Sequence, residues 1–208
     1  MSEQVKVSAN FWLRRLHSLA GVVPIGAFLL EHMFTNAYII YGPDAYNDRI
    51  AVLRGLPYVA WLEVFLIGLP ILYHAGYGFY IWFSGKNNLR WYPHGRNYLY
   101  TLQRWTGLIT FVYILYHVYE TRIMNAIYGT EVSYARMQDI MQNPIVFWFY
   151  VIGLLSTCFH FANGLWGFCI SWGITVGEKA QRASGFVFGL LGLTIFVVGT
   201  SSLIHLIR

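Results

Sequence analysis

The sequence predicts an all-α membrane protein, and three observations support this class. Of its 208 residues 57% are hydrophobic and 11% are charged, whereas soluble domains carry about 25% charged residues. About 20 mostly apolar residues span a bilayer as a helix, and five stretches qualify, at about 16–41, 58–83, 102–125, 144–172 and 185–207. The connections are short, polar and rich in turn residues. We therefore predict a single domain, residues 1–208, containing five transmembrane helices.

The first apolar stretch has an alternative interpretation, a cleaved signal peptide, because Lys6, Arg14 and Arg15 precede it. The stretch is longer than a signal core, contains Glu31 and His32, and has no clear small-residue cleavage pattern. We expect it to be the first span.

The fourth stretch contains both cysteines, Cys158 and Cys169, in neither a CxxC nor a CxxCH pattern. We expect both side chains to serve packing.

The distribution of Lys and Arg predicts the orientation, since positively charged loops stay in the cytoplasm. Nine of the fourteen fall on the side of the N-terminus: Lys6, Arg14, Arg15, Lys86, Arg90, Arg96, Arg104, Lys179 and Arg182. The other five are Arg49, Arg54, Arg122, Arg136 and Arg208. We predict a cytoplasmic N-terminus and an outer C-terminus. The basic inner face has two interpretations, orientation alone or docking of a soluble partner.

Four of the predicted spans each contain one central histidine, His32, His74, His117 and His160 in chain order. Ionisable side chains in a bilayer are costly, and they usually face the bundle interior and have a function. For one histidine the alternative is an imidazole hydrogen-bonded in the core. One histidine on each of four spans favours a shared function.

Depth sorts these histidines into two pairs. At about 1.5 Å per residue, His32 and His117 lie roughly 25 and 20 Å from the inner edge, in the outer half. His74 and His160 lie about 20 Å from the outer edge, in the inner half. Two histidines on facing helices at one depth can bind one metal from opposite sides, as in a haem with two axial imidazoles.

The surrounding residues favour haem over zinc or di-iron. Carboxylates would accompany the histidines in a zinc or di-iron site, and here only Glu31 and Glu120 come near, both in the outer half. We therefore predict two stacked haems enclosed by four helices. A haem-free transporter whose histidines relay protons is the alternative from another class.

Several segments together resemble a known family. They are "RRLHSLAGVVPIGAFLLEH" (14–32), "LPILYHAGYGFYI" (69–81), "KNN" (86–88), "LQRWTG" (102–107), "YHVYETR" (116–122), "STCFHFANGLW" (156–166), "SWGITV" (171–176) and "QR" (181–182). The chain resembles the diheme cytochrome b anchor of succinate:quinone oxidoreductases, in the single-subunit, five-helix class that works with menaquinone. The similarity is weakest at 42–57 and in the fifth span.

The resemblance implies a location, partners and a direction of electron transfer. It implies a prokaryotic plasma-membrane subunit of succinate dehydrogenase, joined to a flavoprotein with covalently bound FAD and to an iron-sulfur protein. His74 and His160 would bind the inner, higher-potential haem, and His32 and His117 the outer, lower-potential one. It also places the quinone site towards the outer haem, which directs attention to Glu31, Asn36 and Glu63. The last could equally be a solvated carboxylate at a helix N-terminus.

Haem propionates are anionic and need cationic or hydrogen-bonding groups at the membrane edge. The inner-side candidates are Arg15, His17, Ser18, Arg104, Lys179 and Arg182. For the three arginines the alternative is the usual basic start of a span. His94 and His205 are expected to be interfacial, and nothing predicts a nucleic-acid partner.

The predicted function is quinone reduction within a larger complex, since the chain has no flavin-binding or dicarboxylate-binding domain and cannot oxidise succinate alone. Three alternatives stay open besides the transporter. They are the fumarate reductase direction, the cytochrome b anchor of a formate dehydrogenase, hydrogenase or nitrate reductase, and a purely structural anchor.

Overall fold

A computed structural model describes residues 8–208, and within that range it contains helices and no strands. The all-α class is therefore confirmed. Lys6 lies outside the described residues. The seven helices are α1 (Ala9–Tyr41), α2 (Pro43–Arg54), α3 (Val59–Ser84), α4 (95–128), α5 (Tyr134–Met141), α6 (Pro144–Ser171) and α7 (Glu178–Leu206).

Three of these helices change geometry along their length. α1 consists of Ala9–Val22 and Pro24–Ala37, followed by a 3-10 turn. In α3 a π-helical segment, Glu63–Gly68, precedes Leu69–Ser84. Pro70 lacks the N–H that would bond back into this segment, which favours such a break. A second π segment, Tyr119–Ile123, interrupts α4.

Four helices in the described part of the chain, α1, α3, α6 and α7, are long and apolar enough to cross a membrane. They coincide with four of the five predicted spans. The remaining predicted span forms α4, which is long enough but is not among these four. Its polar residues, including Gln103, Arg104, Glu120 and Arg122, lower its hydropathy.

Four helices form a ring around the predicted site. α6 packs most extensively, against α4 on one side and α7 on the other. α1 packs against α3 and α6, whereas α3 and α4 meet along a much weaker contact. The ring order is thus α1, α3, α4, α6, and the pairs α1–α4 and α3–α6 face each other across its diagonals.

The larger of two buried clusters lies at one end of the ring, where α1 and α7 end and α6 begins. We call this the outer end, following the predicted orientation. Short helices α2 and α5 cover it. The buried cluster there consists of Ile39, Tyr46, Met137, Ile140, Met141, Phe147, Tyr150 and Leu206. Burial raises the pKa of Tyr46 to about 12.

The side chains of α3 are the least enclosed. None of its residues is fully buried, and Phe65, Leu72 and Phe83 are more than half exposed, at 55, 70 and 81%. Large apolar side chains on the outside of such a helix suit contact with lipid. α3 is therefore positioned mainly by α1.

Candidate functional site

The inner pair of histidines meets across one diagonal of the ring. His74 on α3 and His160 on α6 have ring centroids 6.2 Å apart, with the ring planes at 87°. The two backbones hardly approach each other, so the imidazoles themselves span the gap between the helices. The predicted depth pairing therefore matches the positions of these two rings.

A backbone carbonyl fixes each ring of the inner pair. His74 Nδ1 lies 2.9 Å from the carbonyl oxygen of His17, and His160 Nδ1 lies 3.0 Å from that of Gln103. A carbonyl can only accept, so each Nδ1 carries the proton and donates it. This tautomer leaves each Nε2 lone pair free to bind a metal, which is how ligating histidines are usually oriented.

Each of these rings also lies against a glycine on the neighbouring helix. A Cβ added to Gly21 would lie 2.5 Å from His74 Cε1, and one added to Gly107 would lie 2.8 Å from His160 Cε1. Both glycines follow the accepting carbonyl by four residues, one turn along the same face. α1 and α4 therefore provide the same two features: a carbonyl that accepts from a histidine and, four residues later, a glycine in contact with that histidine's ring.

The side chains of His17 and Gln103, whose carbonyls accept these two bonds, make different contacts. The His17 ring stacks on the His74 ring, with centroids 4.1 Å apart and planes at 10°. Gln103 instead donates its side-chain Nε2 to the carbonyl oxygen of His160 at 3.0 Å. Its Oε1 accepts from Asn163 Nδ2 at 2.8 Å. Gln103 is not among the site residues predicted from the sequence. The segments "LHSLAG" (16–21) and "LQRWTG" (102–107) carry a signal for it, because His17 and Gln103 each precede a glycine by four residues.

The outer pair meets across the other diagonal. His32 on α1 and His117 on α4 have centroids 5.6 Å apart, with planes at 77°. His117 Nδ1 lies 3.4 Å from the hydroxyl of Tyr150, a side chain only 2% exposed. Among the described residues the His32 ring has no hydrogen bond, and it stacks on Phe28 at 5.3 Å.

Both separations fit two imidazoles on opposite sides of one metal. Metal–nitrogen bonds of about 2 Å, with each ring centre about 1 Å behind its nitrogen, put the centroids about 6 Å apart. The inner pair matches this at 6.2 Å and the outer pair is slightly closer at 5.6 Å. Gly21 and Gly107 leave the space that the His74 and His160 rings occupy. The residues present therefore fit the predicted haems.

The predicted propionate-binding residues fall into two groups. Near the inner end of the bundle, Ser18 accepts a hydrogen bond from Trp172 Nε1 at 3.1 Å, and the Arg15 guanidinium lies 5.0 Å from the Trp172 ring centre. His17 lies beside them, with its Nε2 buried and unpaired. These three side chains line one edge of the bundle.

The other propionate candidates are engaged elsewhere. The Arg104 guanidinium donates to the carbonyl of Trp82 and lies over its ring at 5.0 Å. Arg182 pairs with Glu178 on the surface of α7, and Lys179 is exposed in the first turn of that helix. None of these contacts involves a histidine of either pair.

The predicted quinone residues lie on neighbouring segments at the outer end. Glu31 accepts from the Thr35 hydroxyl at 2.7 Å, and Asn36 donates its amide to the His32 carbonyl at 2.8 Å. Glu63 forms an ion pair with Arg122 that joins α3 to α4. Its π segment packs against the second half of α1.

The two remaining histidines lie at the ends of helices. His205 Nδ1 bonds to the carbonyl of Ser201 in its own helix at 2.7 Å. His94 precedes α4 and lines a cleft of about 670 Å³ between the starts of α4 and α7.

This architecture defines a class: a helical membrane protein with two imidazole pairs across the diagonals of a four-helix ring. Comparison with known proteins identifies the family. Residues 85–200 match the family described as "Succinate dehydrogenase/Fumarate reductase transmembrane subunit". The chain is also 44% identical over 194 residues to the "Succinate dehydrogenase cytochrome b558 subunit" of Bacillus subtilis, covering 93% of this chain and 96% of that protein. The chain therefore belongs to the succinate dehydrogenase/fumarate reductase transmembrane subunit family, which confirms the resemblance at the level of that family.

Proposed function

We propose that this protein is the membrane anchor and electron-transfer subunit of a succinate dehydrogenase, holding two b haems and delivering electrons to menaquinone. Family membership supports the anchor role, and the printed name of the Bacillus subtilis relative supports a b-type cytochrome. The observation that carries the two-haem proposal is the pair of diagonal histidine contacts, with centroids 6.2 and 5.6 Å apart.

The chain's own residues do three things at each site. His74 and His160 would hold the inner haem, and His32 and His117 the outer one, each through a ring nitrogen. The helices exclude water around them, and Gly21 and Gly107 leave room for the inner rings themselves. A bound haem supplies a one-electron carrier whose potential depends on its ligands and surroundings.

The partners follow from the family. A flavoprotein with covalently bound FAD would oxidise succinate, and an iron-sulfur protein would pass electrons to the inner site. The inner face is basic, with Arg90, Arg96 and Lys86 among its residues, which suits the docking of a soluble partner at the cytoplasmic side. The family covers fumarate reductases as well, and the same sites serve either direction.

The quinone would be reduced near the outer pair. Glu31, Asn36 and Glu63 supply polar groups there, within an otherwise apolar surface, as a quinone site requires. At the outer end, the Glu63–Arg122 ion pair joins α3 to α4.

The protein would lie in the prokaryotic plasma membrane as a multi-pass subunit, with its N-terminus in the cytoplasm. Four helices meet the length and hydropathy of a span, and α4 would be the fifth. Its polar groups are largely satisfied within the bundle, since Gln103 bonds to His160 and Glu120 pairs with Arg136 at 2.8 Å. A relatively polar helix can cross a bilayer when its polar side chains have partners within the bundle.

A haem titration tests the proposal. The purified complex, produced with ample haem, should bind two equivalents per chain and show a b-type α band in its reduced-minus-oxidised spectrum. A preparation without that band would contradict the haem sites. Co-purification with a molybdenum or nickel subunit in place of a flavoprotein would contradict the assignment to succinate dehydrogenase.

A further inference from the structure

The amide side chains of Gln103 and Asn163 lie beside only one of the two inner histidines. We propose that they form a clamp that fixes the orientation of His160, so that His160 is the rigid member of the inner pair and His74 the adaptable one. Both residues are positioning residues. This inference rests on the proposed function, because it assigns the clamp to a haem ligand.

The hydrogen bonds of the clamp form a closed loop between α4 and α6. His160 Nδ1 donates to the backbone carbonyl of Gln103 at 3.0 Å, and Gln103 Nε2 donates back to the carbonyl of His160 at 3.0 Å. Asn163 Nδ2 then donates to Gln103 Oε1 at 2.8 Å and lies 3.4 Å from the Leu99 carbonyl. One residue therefore fixes both the ring and the backbone of His160.

The other half of the inner site provides an internal comparison. His17 occupies the position equivalent to Gln103, and its carbonyl accepts from His74 Nδ1 at 2.9 Å. Its side chain stacks on the His74 ring and makes no bond to the His74 backbone. Stacking is tolerant of sliding and rotation, whereas a closed loop of hydrogen bonds is not.

The clamp should matter because it is partly buried between two helices. Breaking one member leaves the remaining amide or carbonyl groups without a partner in a region with little water, which is costly. Hydrogen-bonding groups behind a metal ligand typically change metal affinity by about 10- to 100-fold when they are removed. If the clamp only joined α4 to α6, its removal would lower the stability of the bundle without changing one haem selectively.

The experiment compares Gln103→Leu with the unmodified protein, both as the complete haem-loaded complex. We expect the inner haem to transfer to an acceptor such as apomyoglobin about 10- to 100-fold faster, with the outer haem unchanged. We also expect a shift in the low-spin electron paramagnetic resonance signal of the inner haem alone, because that signal reports the angle between the two imidazole planes.

A control variant lies on α7, away from the clamp. The hydroxyl of Thr194 bonds at 2.9 Å to the carbonyl of Leu190 in its own helix, so Thr194→Val removes a hydroxyl without touching the clamp. It should leave both haem signals unchanged. Asn163→Leu should resemble Gln103→Leu with a smaller effect, and the double variant should be less than additive if the two amides act as one unit.

The outcomes separate this inference from the proposed function. Two haem signals that both persist unchanged in Gln103→Leu would overturn the clamp and leave the proposed function intact. Equal changes in both haems would also overturn it, since they indicate general loosening. Absence of any haem in the unmodified complex would overturn both. If Gln103→Leu fails to accumulate in the membrane, Asn163→Leu provides the same comparison.

Discussion

The inner and outer histidine pairs occupy equivalent diagonals of the ring, yet they are oriented by different means. Both inner rings donate Nδ1–H to backbone carbonyls at 2.9 and 3.0 Å. In the outer pair, His117 has a side-chain hydroxyl at 3.4 Å, and the His32 ring is positioned by packing against Phe28. The backbone therefore holds the inner pair, and side chains hold the outer pair.

This difference determines how each site responds to mutation. A backbone carbonyl is present whatever the side chain, so no substitution removes the acceptor of an inner ring, although a substitution can shift the helix that carries it. The outer orientation depends on individual side chains such as Tyr150. We therefore expect a single substitution to be able to remove the hydrogen-bond partner of an outer ring, whereas substitutions near the inner pair act indirectly, through the clamp or through helix packing.

The largest expected effect is the loss of one haem from each ligand variant. His160→Ala should remove only the inner haem and His117→Ala only the outer one, because each removes an axial ligand of one pair. Redox-resolved difference spectra of the two variants check this. Loss of the same spectral component in both would refute the pairing.

The next effect concerns the glycines behind the inner rings. Gly107→Ala places a methyl group 2.8 Å from the His160 ring, and such overpacking costs about 1–3 kcal/mol. We expect weaker retention of the inner haem and a lower unfolding temperature, with the outer haem unaffected.

Gly76→Ala on α3 is the matched control, because a Cβ there meets nothing within 4 Å. Measured in the same thermal and spectral assays, it should behave like the unmodified protein. An equal loss of inner haem in both variants would show that the close approach at Gly107 has no special role.

A smaller effect should follow Tyr150→Phe, which removes the hydroxyl near His117. If His117 binds haem through Nε2, its Nδ1–H donates to this hydroxyl and makes the ligand more basic. Removal of the Tyr150 hydroxyl should raise the midpoint potential of the outer haem, because a less basic ligand stabilises the oxidised iron less. The stability cost should be about 1 kcal/mol.

A redox titration of both haems checks this prediction. The inner haem serves as the reference within the same sample, and its potential should stay unchanged. A shift confined to the inner haem would contradict the proposed arrangement.

The smallest effect is expected at the outer ion pair between Arg122 and Glu63, whose side chains are 57 and 38% exposed. Arg122→Gln should change the free energy of unfolding by less than about 1 kcal/mol, as is usual for exposed pairs. Thermal denaturation of the complex measures this. A loss as large as that of Gly107→Ala would show that the α3–α4 contact depends on this pair.

The sequence was sufficient to predict the helical class and which histidines approach each other. A helix rises by a constant amount per residue, so that position along a span gives depth directly, and the rings of the two predicted pairs lie 5.6 and 6.2 Å apart. Their role as haem ligands stays a prediction. Helices α2 and α5 were assigned to loops, since each is short and packs through tertiary contacts that a hydropathy pattern does not reveal. Gln103 is not predicted because one of its two contacts with His160 is made by its backbone carbonyl, and every residue has such a carbonyl.

The diagonal arrangement also sets an order for biosynthesis. The chain is made from its N-terminus, so His32, His74 and His117 have all been synthesised once α4 is complete, whereas His160 arrives only with α6. The outer pair is therefore complete first. The inner pair must wait for the helix that packs most extensively in the finished bundle, and its assembly coincides with the closing of the ring.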